Sequence, residues 1–160
     1  MRKYCAKACT KLSLPCVPNA RMDRTHNDYE VFTLKYFASF INSMNFDEVA
    51  IFDPHSNVSP ALFDRCVVTN PYYQCYKAGE ACKPDVIFYP DEGAMKRYSS
   101  ILSIQKPITF GMKKRDWSTG EIKGLDIFGD TDALKDAKVL IIDDICSRGG
   151  TFYHSALKLK

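Results

Sequence analysis

The stretch Val139-Leu-Ile-Ile-Asp-Asp-Ile-Cys-Ser-Arg-Gly-Gly-Thr151 decides the fold. Its apolar start, preceded by Lys138, reads as a strand buried on both faces, which is the habit of parallel sheets. Two adjacent carboxylates, Asp143 and Asp144, stand at the end of that strand. A loop of Ser147, Arg148, Gly149 and Gly150 follows and opens a helix near Thr151. Glycines let successive backbone N–H groups converge on an anion, and a helix N-terminus adds its dipole. Thr151 supplies a hydroxyl donor. The carboxylates do not favour a phosphate directly. They suit ribose hydroxyls, or a Mg²⁺ ion that carries phosphates. The plainer reading is a strand–turn–helix connection with solvated aspartates, but two acids directly ahead of a glycine loop argue against it.

Outward from this stretch, short apolar runs alternate with amphipathic ones. Residues 12–17 read as a strand ending at Pro18. Asn27 or Asp28 can cap a following helix, on which Phe32, Tyr36, Phe37, Phe40, Ile41 and Met44 share one face at helical spacing. That aromatic face reads as core rather than as a stacking platform. Residues 49–52, 86–89 and 108–110 are further strands, the second followed by a helix through Ala94, Tyr98 and Ile101. The alternation predicts an α/β fold, a parallel sheet flanked by helices. Ligands bind at the carboxyl ends of such strands. Polar clusters follow each one: Asp53-Pro-His-Ser-Asn57, Asp91-Glu-Gly93, Lys113-Lys-Arg115 and Asp143-Asp144. A boundary falls at residues 68–73, where Thr69, Asn70 and Pro71 interrupt the pattern. There is no internal repeat and no low-complexity tract.

Composition narrows the class without deciding it. The 160 residues are 46% apolar and 26% charged, with a net charge of +3, which describes an ordinary globular protein and suits an anionic small substrate. No dense Lys/Arg run marks nucleic-acid binding, and no apolar run is long enough to cross a bilayer. The first eleven residues carry Arg2, Lys3, Lys7 and Lys11 without an apolar core, unlike a secretory signal. The seven cysteines are scattered and contain no Cys-x-x-Cys pair, so free thiols in a reducing cytoplasm are expected rather than zinc or disulfides.

The 139–151 segment resembles the phosphoribosyl-pyrophosphate loop of the type I phosphoribosyltransferases. Within that superfamily the rest of the chain resembles the ribose-phosphate pyrophosphokinases. Pro18-Asn-Ala-Arg-Met-Asp-Arg24 is similar to the family's ATP-contacting segment, and Asp53-Pro-His-Ser56 to its Asp-Leu-His-Ser turn. Tyr89-Pro-Asp-Glu-Gly93 is similar to its Pro-Asp-x-Gly turn, and Met112-Lys-Lys-Arg115 to the basic run of its catalytic flexible loop. All five occur in the family's order.

The resemblance implies a type I phosphoribosyltransferase-like fold of two related half-domains, residues 1–70 and 71–160, the first incomplete and the second truncated at its end. It implies ATP binding by Arg21, Met22, Asp23 and His55, with His55 and Asp91 holding Mg²⁺. Lys113 and Arg115 become the catalytic cations. Asp143, Asp144, Ser147, Arg148, Gly149, Gly150 and Thr151 become the ribose 5-phosphate site. A cytoplasmic homo-oligomer is implied too. Gly111, Gly120 and Gly124 bracket the basic run, as in a lid that closes over substrate. A lone histidine after a strand is usually structural, and Mg²⁺ prefers oxygen ligands, so His55 acts through water or on an ATP phosphate if it serves at all.

The chain also departs from the pattern. Ser147 and Arg148 stand where the family has an acid and a threonine, which makes the loop more welcoming to negative charge and opens a larger acceptor such as ADP-ribose. Met22 replaces a polar glutamine, and Met112 replaces an acid. The chain is much shorter than family members and reads as a fragment. Two readings compete. A phosphoribosyltransferase explains residues 143–151 but neither the Arg21 segment nor the basic run. A non-catalytic regulatory homologue binds nucleotide without turnover, against which stand Lys113, His55 and Asp91.

Overall fold

The computed structural model describes residues 9–25, 27–100, 106–115 and 122–160, with the backbone alone at 113–115 and 122–123. The chain divides into two compact units, Met1–Pro71 and Tyr72–Lys160, each built on its own sheet.

In the first unit, strands β1 (Lys11–Leu14), β2 (Glu48–Phe52) and β3 (Cys66–Thr69) lie in sequence order and are all parallel. Helices α1 (Thr33–Ser43) and α2 (Val58–Leu62) form the crossovers. β1 ends three residues before the expected limit, because Pro15 has no N–H to continue the ladder. α1 starts at Thr33, later than the expected cap at Asn27 or Asp28. Asn27 instead folds onto its own turn, its Oδ1 accepting from the Tyr29 N–H at 3.0 Å, and that local bond competes with helix.

Half of the expected aromatic face of α1, namely Phe32, Phe37 and Ile41, packs into the core, and the other half does not. Leu34, Ala38 and Ile41 face the core, whereas Tyr36, Phe40 and Met44 are exposed. Packing against the sheet splits the expected face, burying Ile41 with Leu34 and Ala38 and leaving Tyr36, Phe40 and Met44 outside. Leu34, Ala38 and Ile41 join Val17, Ala20, Val49, Ile51 and Phe63 in one cluster, with Phe37 set edge-on to Phe63 at 6.1 Å. Asn42 fastens the far end of α1 by donating to the Leu62 carbonyl at 2.9 Å and accepting from the Asp64 N–H at 3.0 Å.

The second unit runs α3 (Tyr72–Cys82), β4 (Val86–Tyr89), α4 (Glu92–Tyr98), β5 (Ile108–Arg115), β6 (Ile122–Gly129), a short 3₁₀ turn, β7 (Val139–Ile141) and α5 (Gly150–Leu159). The strand order is β6-β5-β4-β7. β4 pairs in parallel with β5 on one side and β7 on the other, and all four of its residues are buried. Cys75, Ile87, Tyr89, Ala94, Tyr98 and Ile142 form the core around it.

The structure extends the expected 108–110 strand to Arg115 and pairs it antiparallel with β6, with a register shift between Lys114 and Arg115. The basic run therefore lies within a hairpin strand rather than in an irregular segment after a strand. Gly124 and Asp126 interrupt the apolar pattern of β6, which is why the sequence conceals it. Ile101 and Gly120 lie outside the described residues. Among those described, no helix is long and apolar enough to cross a membrane.

Gly111 shows how tightly β5 is seated. A methyl group there would stand 2.8 Å from the Pro90 carbonyl oxygen and 2.7 Å from Leu125 Cδ1. Gly111→Ala is expected to cost about 1–3 kcal/mol, the usual range for overpacking, read as a lowered midpoint in urea unfolding at unchanged slope.

Candidate functional site

Each unit assembles part of the predicted site. In the first, residues 18–21 form a turn in which the Met22 N–H donates to the Asn19 carbonyl at 2.8 Å, with Asn19 left-handed at φ 59°. The turn leaves Arg21 and Met22 exposed and Asp23 buried. Met22 is anchored at the start of α1, where the Thr33 hydroxyl approaches its sulfur at 3.1 Å.

Asp23 makes the central contacts of this unit's polar cluster. Arg24 donates to both of its oxygens, Nε at 2.8 Å and Nη2 at 3.1 Å, and Ser56 donates its hydroxyl at 2.6 Å. Ser56 lies in the turn after β2, so this bond brings the Arg21–Arg24 segment to the residues beside His55. Arg24 first, then the Ser56 hydroxyl and the His55 charge, hold the Asp23 carboxyl down at about 2. The Ser56 oxygen in turn accepts from the Val58 N–H at 3.3 Å, at the start of α2. Asp53, also left-handed at φ 45°, donates its N–H to the Thr69 carbonyl at 2.9 Å and turns the chain off β2. The side chain assigned to ATP at Asp23 is thus committed to protein partners, while Arg21 and the half-buried His55 flank it.

In the second unit, β4 and β7 are adjacent and their carboxyl ends lie side by side. Asp91 caps α4, its Oδ1 accepting from the Ala94 N–H at 2.9 Å. At the end of β7, the Asp144 N–H donates to Asp143 Oδ1 at 3.0 Å. The Asp144 carboxylate, 6% exposed, pairs with Arg97 Nη1 of α4 at 3.1 Å. Burial first, then the neighbouring Asp144 and the charge of Asp91, push the Asp143 carboxyl up to about 6. Gly149, at φ 74°, turns the loop into α5, and the Tyr153 N–H returns to the Gly149 carbonyl at 2.9 Å. Ser147, Arg148 and Gly150 are exposed around that turn, with Thr151 half-buried behind them.

The backbone of Lys113 pairs with Leu125, and that of Arg115 with Ile122. Among the described residues, no group of three or more His, Cys, Asp or Glu forms a metal cage. Mg²⁺ keeps waters and substrate oxygens and takes one or two carboxylates. Asp91 offers an oxygen of the right kind at a strand end, and the imidazole of His55 fits less well. Cys9, Cys16, Cys66, Cys75, Cys82 and Cys146 are free thiols.

Sequence reasoning passed over Arg97 and the structural use of Ser56. Arg97 has no local signature, because its partner lies 47 residues away.

The chain matches no family model. It is 30% identical over 154 residues to a ribose-phosphate pyrophosphokinase of Saccharolobus solfataricus, a match covering 94% of this chain and 52% of that protein. It is 29% identical over 164 residues to the Campylobacter jejuni protein of the same name, across 100% of this chain and 52% of that one. A Dictyostelium discoideum ribose-phosphate pyrophosphokinase A is 29% identical over 145 residues, covering 86% of this chain and 44% of that protein. The crystal structure of phosphoribosylpyrophosphate synthetase from Mycobacterium smegmatis superposes with a TM-score of 0.73 at 24% identity, over 93% of this chain and 48% of that one. The fold is of the type I phosphoribosyltransferase kind. The chain spans about half the length of the curated relatives it matches.

Two outcomes follow from the electrostatics. Asp23→Ala leaves the Ser56 hydroxyl and Arg24 without their acceptor and is expected to destabilise the protein by about 1–3 kcal/mol in urea unfolding. Asp143 behaves oppositely. Its folded pKa, about 6, lies above its ordinary 3.8, so the folded state binds the proton more tightly. Stability from this group is present at low pH and lost as pH rises through about 6. Asp143→Asn should therefore match the parent near pH 4 and melt roughly 2–5 °C higher above pH 7, in buffer free of divalent ions.

Proposed function

We propose that this chain is part of a ribose-phosphate pyrophosphokinase, a cytoplasmic homo-oligomer that transfers the β,γ-pyrophosphoryl group of Mg-ATP to the 1-hydroxyl of ribose 5-phosphate. The products are phosphoribosyl pyrophosphate and AMP. The observation that carries this reading is the similarity to ribose-phosphate pyrophosphokinases over 94% of the chain, within which the five motifs fall in order.

The 1-hydroxyl oxygen attacks the β-phosphorus and gives up its proton to solvent, the bond from that phosphorus to the α,β-bridging oxygen breaks, and AMP leaves with that oxygen. Charge spreads over phosphoryl oxygens, so positioning and electrostatic stabilisation supply most of the catalysis. Residues 147–151 take the 5-phosphate on backbone N–H groups, the Thr151 hydroxyl and the dipole of α5. Asp143 accepts hydrogen bonds from the ribose hydroxyls. Arg21, with His55 beside it, holds ATP. Lys113 and Arg115 balance the charge of the transferred group. Asp91 in the second unit would hold Mg²⁺, which would supply charge neutralisation to the phosphates, and His55 in the first unit would act through water. Nothing in these roles calls for nucleic acid or membrane.

Arg148 supports a second acceptor. It is an exposed cation beside the left-handed Gly149, where the family pattern has no positive charge. A second phosphate, as in ADP-ribose, suits that position.

Protein mixed with Mg-ATP and ribose 5-phosphate is expected to release AMP, and Lys113→Ala to lower the rate by about 100-fold or more. Protein that binds ATP but releases no AMP with either sugar, as this chain and within a full-length parent, would show a regulatory homologue instead. Arg148→Thr is expected to shift the ratio of rates from ADP-ribose toward ribose 5-phosphate by roughly tenfold, the worth of one surface-accessible charge contact to a phosphate. An unchanged ratio removes Arg148 from acceptor choice.

A further inference from the structure

Two carboxylates stand next to a loop read as a phosphate cradle, and only one of them is useful to a sugar. The Asp144 side chain is 6% exposed. Its Oδ2 meets Arg97 Nη1 at 3.1 Å, and that guanidinium is itself mostly buried, at 22% exposure, with its face 5.3 Å from the ring of Tyr98. Tyr98 is 1% exposed, so Arg97 rests on a fixed platform. From the other side, the Asp144 N–H holds Asp143 Oδ1 at 3.0 Å. The contacts form a chain from Tyr98 through Arg97 and Asp144 to Asp143. Helix α4 anchors it, the same helix that Asp91 caps.

We propose that Arg97 is a positioning residue for the sugar phosphate. It neutralises Asp144 and holds that carboxylate turned toward α4, so that Asp143 alone serves the ribose hydroxyls and the 5-phosphate meets one negative charge instead of two. Two observations carry this beyond a generic ion pair. The pair ties α4 to the end of β7 across 47 residues of chain, through a carboxylate that is 6% exposed. Its acid is also the immediate neighbour of a second acid held by backbone, so an uncompensated Asp144 would face both Asp143 and the incoming phosphate. Charges a few ångströms apart in a half-buried site interact strongly enough to change an affinity by about tenfold or more. The inference rests on the reading of residues 143–151 as a sugar-phosphate site.

The test is calorimetric titration of the whole chain with ribose 5-phosphate, alongside thermal melting of each variant. Arg97→Gln is expected to weaken binding by about tenfold or more. Adding Asp144→Asn to it removes the stranded charge and is expected to recover most of that loss. A purely structural Arg97 predicts the reverse, since the second change repairs no packing. Arg97→Lys keeps the charge as a point cation and is expected to stay within about threefold of the parent. Should Arg97→Gln melt below the assay temperature, the double variant and Arg97→Lys carry the test, each expected to bind within about threefold of the parent.

If the parent binds and Arg97→Gln binds equally well, the proposal falls and the sugar-phosphate reading stands. It also falls if the double variant binds no better than the folded single one, or if Arg97→Lys loses tenfold or more. If the parent itself does not bind ribose 5-phosphate, the reading of the loop fails and takes the proposal with it.

Discussion

The burial of β4 is the constraint on which the second unit depends. Val86, Ile87, Phe88 and Tyr89 are each within about one percent of complete burial, so the strand needs neighbours on both edges and cover on both faces. It receives β5 on one edge and β7 on the other. The chain therefore leaves β4 in one direction, makes the β5–β6 hairpin, and returns to the opposite side. At such a reversal the loops after adjacent parallel strands diverge and leave a crevice. Asp91 and Asp143 lie at that crevice because an apolar tetrapeptide requires it.

The two units solve the burial of a carboxylate in opposite ways. Asp23 is given Arg24 and Ser56 and becomes a strong acid, a fixed anion that fastens two segments together. Asp143 is given one backbone N–H and two acidic neighbours and becomes a weak one. A fully satisfied carboxylate is a structural part. An under-compensated one at a strand end has unused bonding capacity, and groups of that kind gather at functional sites.

What was legible in the sequence follows the same division. β4 and β7 are uninterrupted apolar runs, and β2 nearly so, and all three were readable from the letters. The turn at Gly149 was readable because few other residues adopt its conformation comfortably. β6 was not, since Gly124 and Asp126 break its pattern and only pairing with β5 makes it a strand. β3 was not read as a strand, and its last two residues fell within the expected 68–73 boundary, because Cys66–Thr69 is a short edge strand with three exposed residues. The face of α1 was read only in part, because apolar residues spread around much of its surface and the sheet beneath decides which of them are covered. In the site, residue types pointed to the chemistry, but their partners did not. The bond from Ser56 to Asp23 spans 33 residues and that from Arg97 to Asp144 spans 47, distances over which a single sequence carries no pairing signal.

The order of strands also bears on how the molecule acquires its site in time. The β5–β6 hairpin joins neighbours in the chain, whereas β7 reaches β4 only after the whole hairpin has been laid down, a closure marked by the Lys138 N–H bonding to Asp85 across 53 residues. Long closures come late, because their loop entropy must be met before their contacts form. During synthesis the basic strand is thus in place before the acidic pair and its glycine turn have a sheet to rest on. Within the second unit the strand-end site is completed only when β7 docks on β4, after the β5–β6 pair is in place.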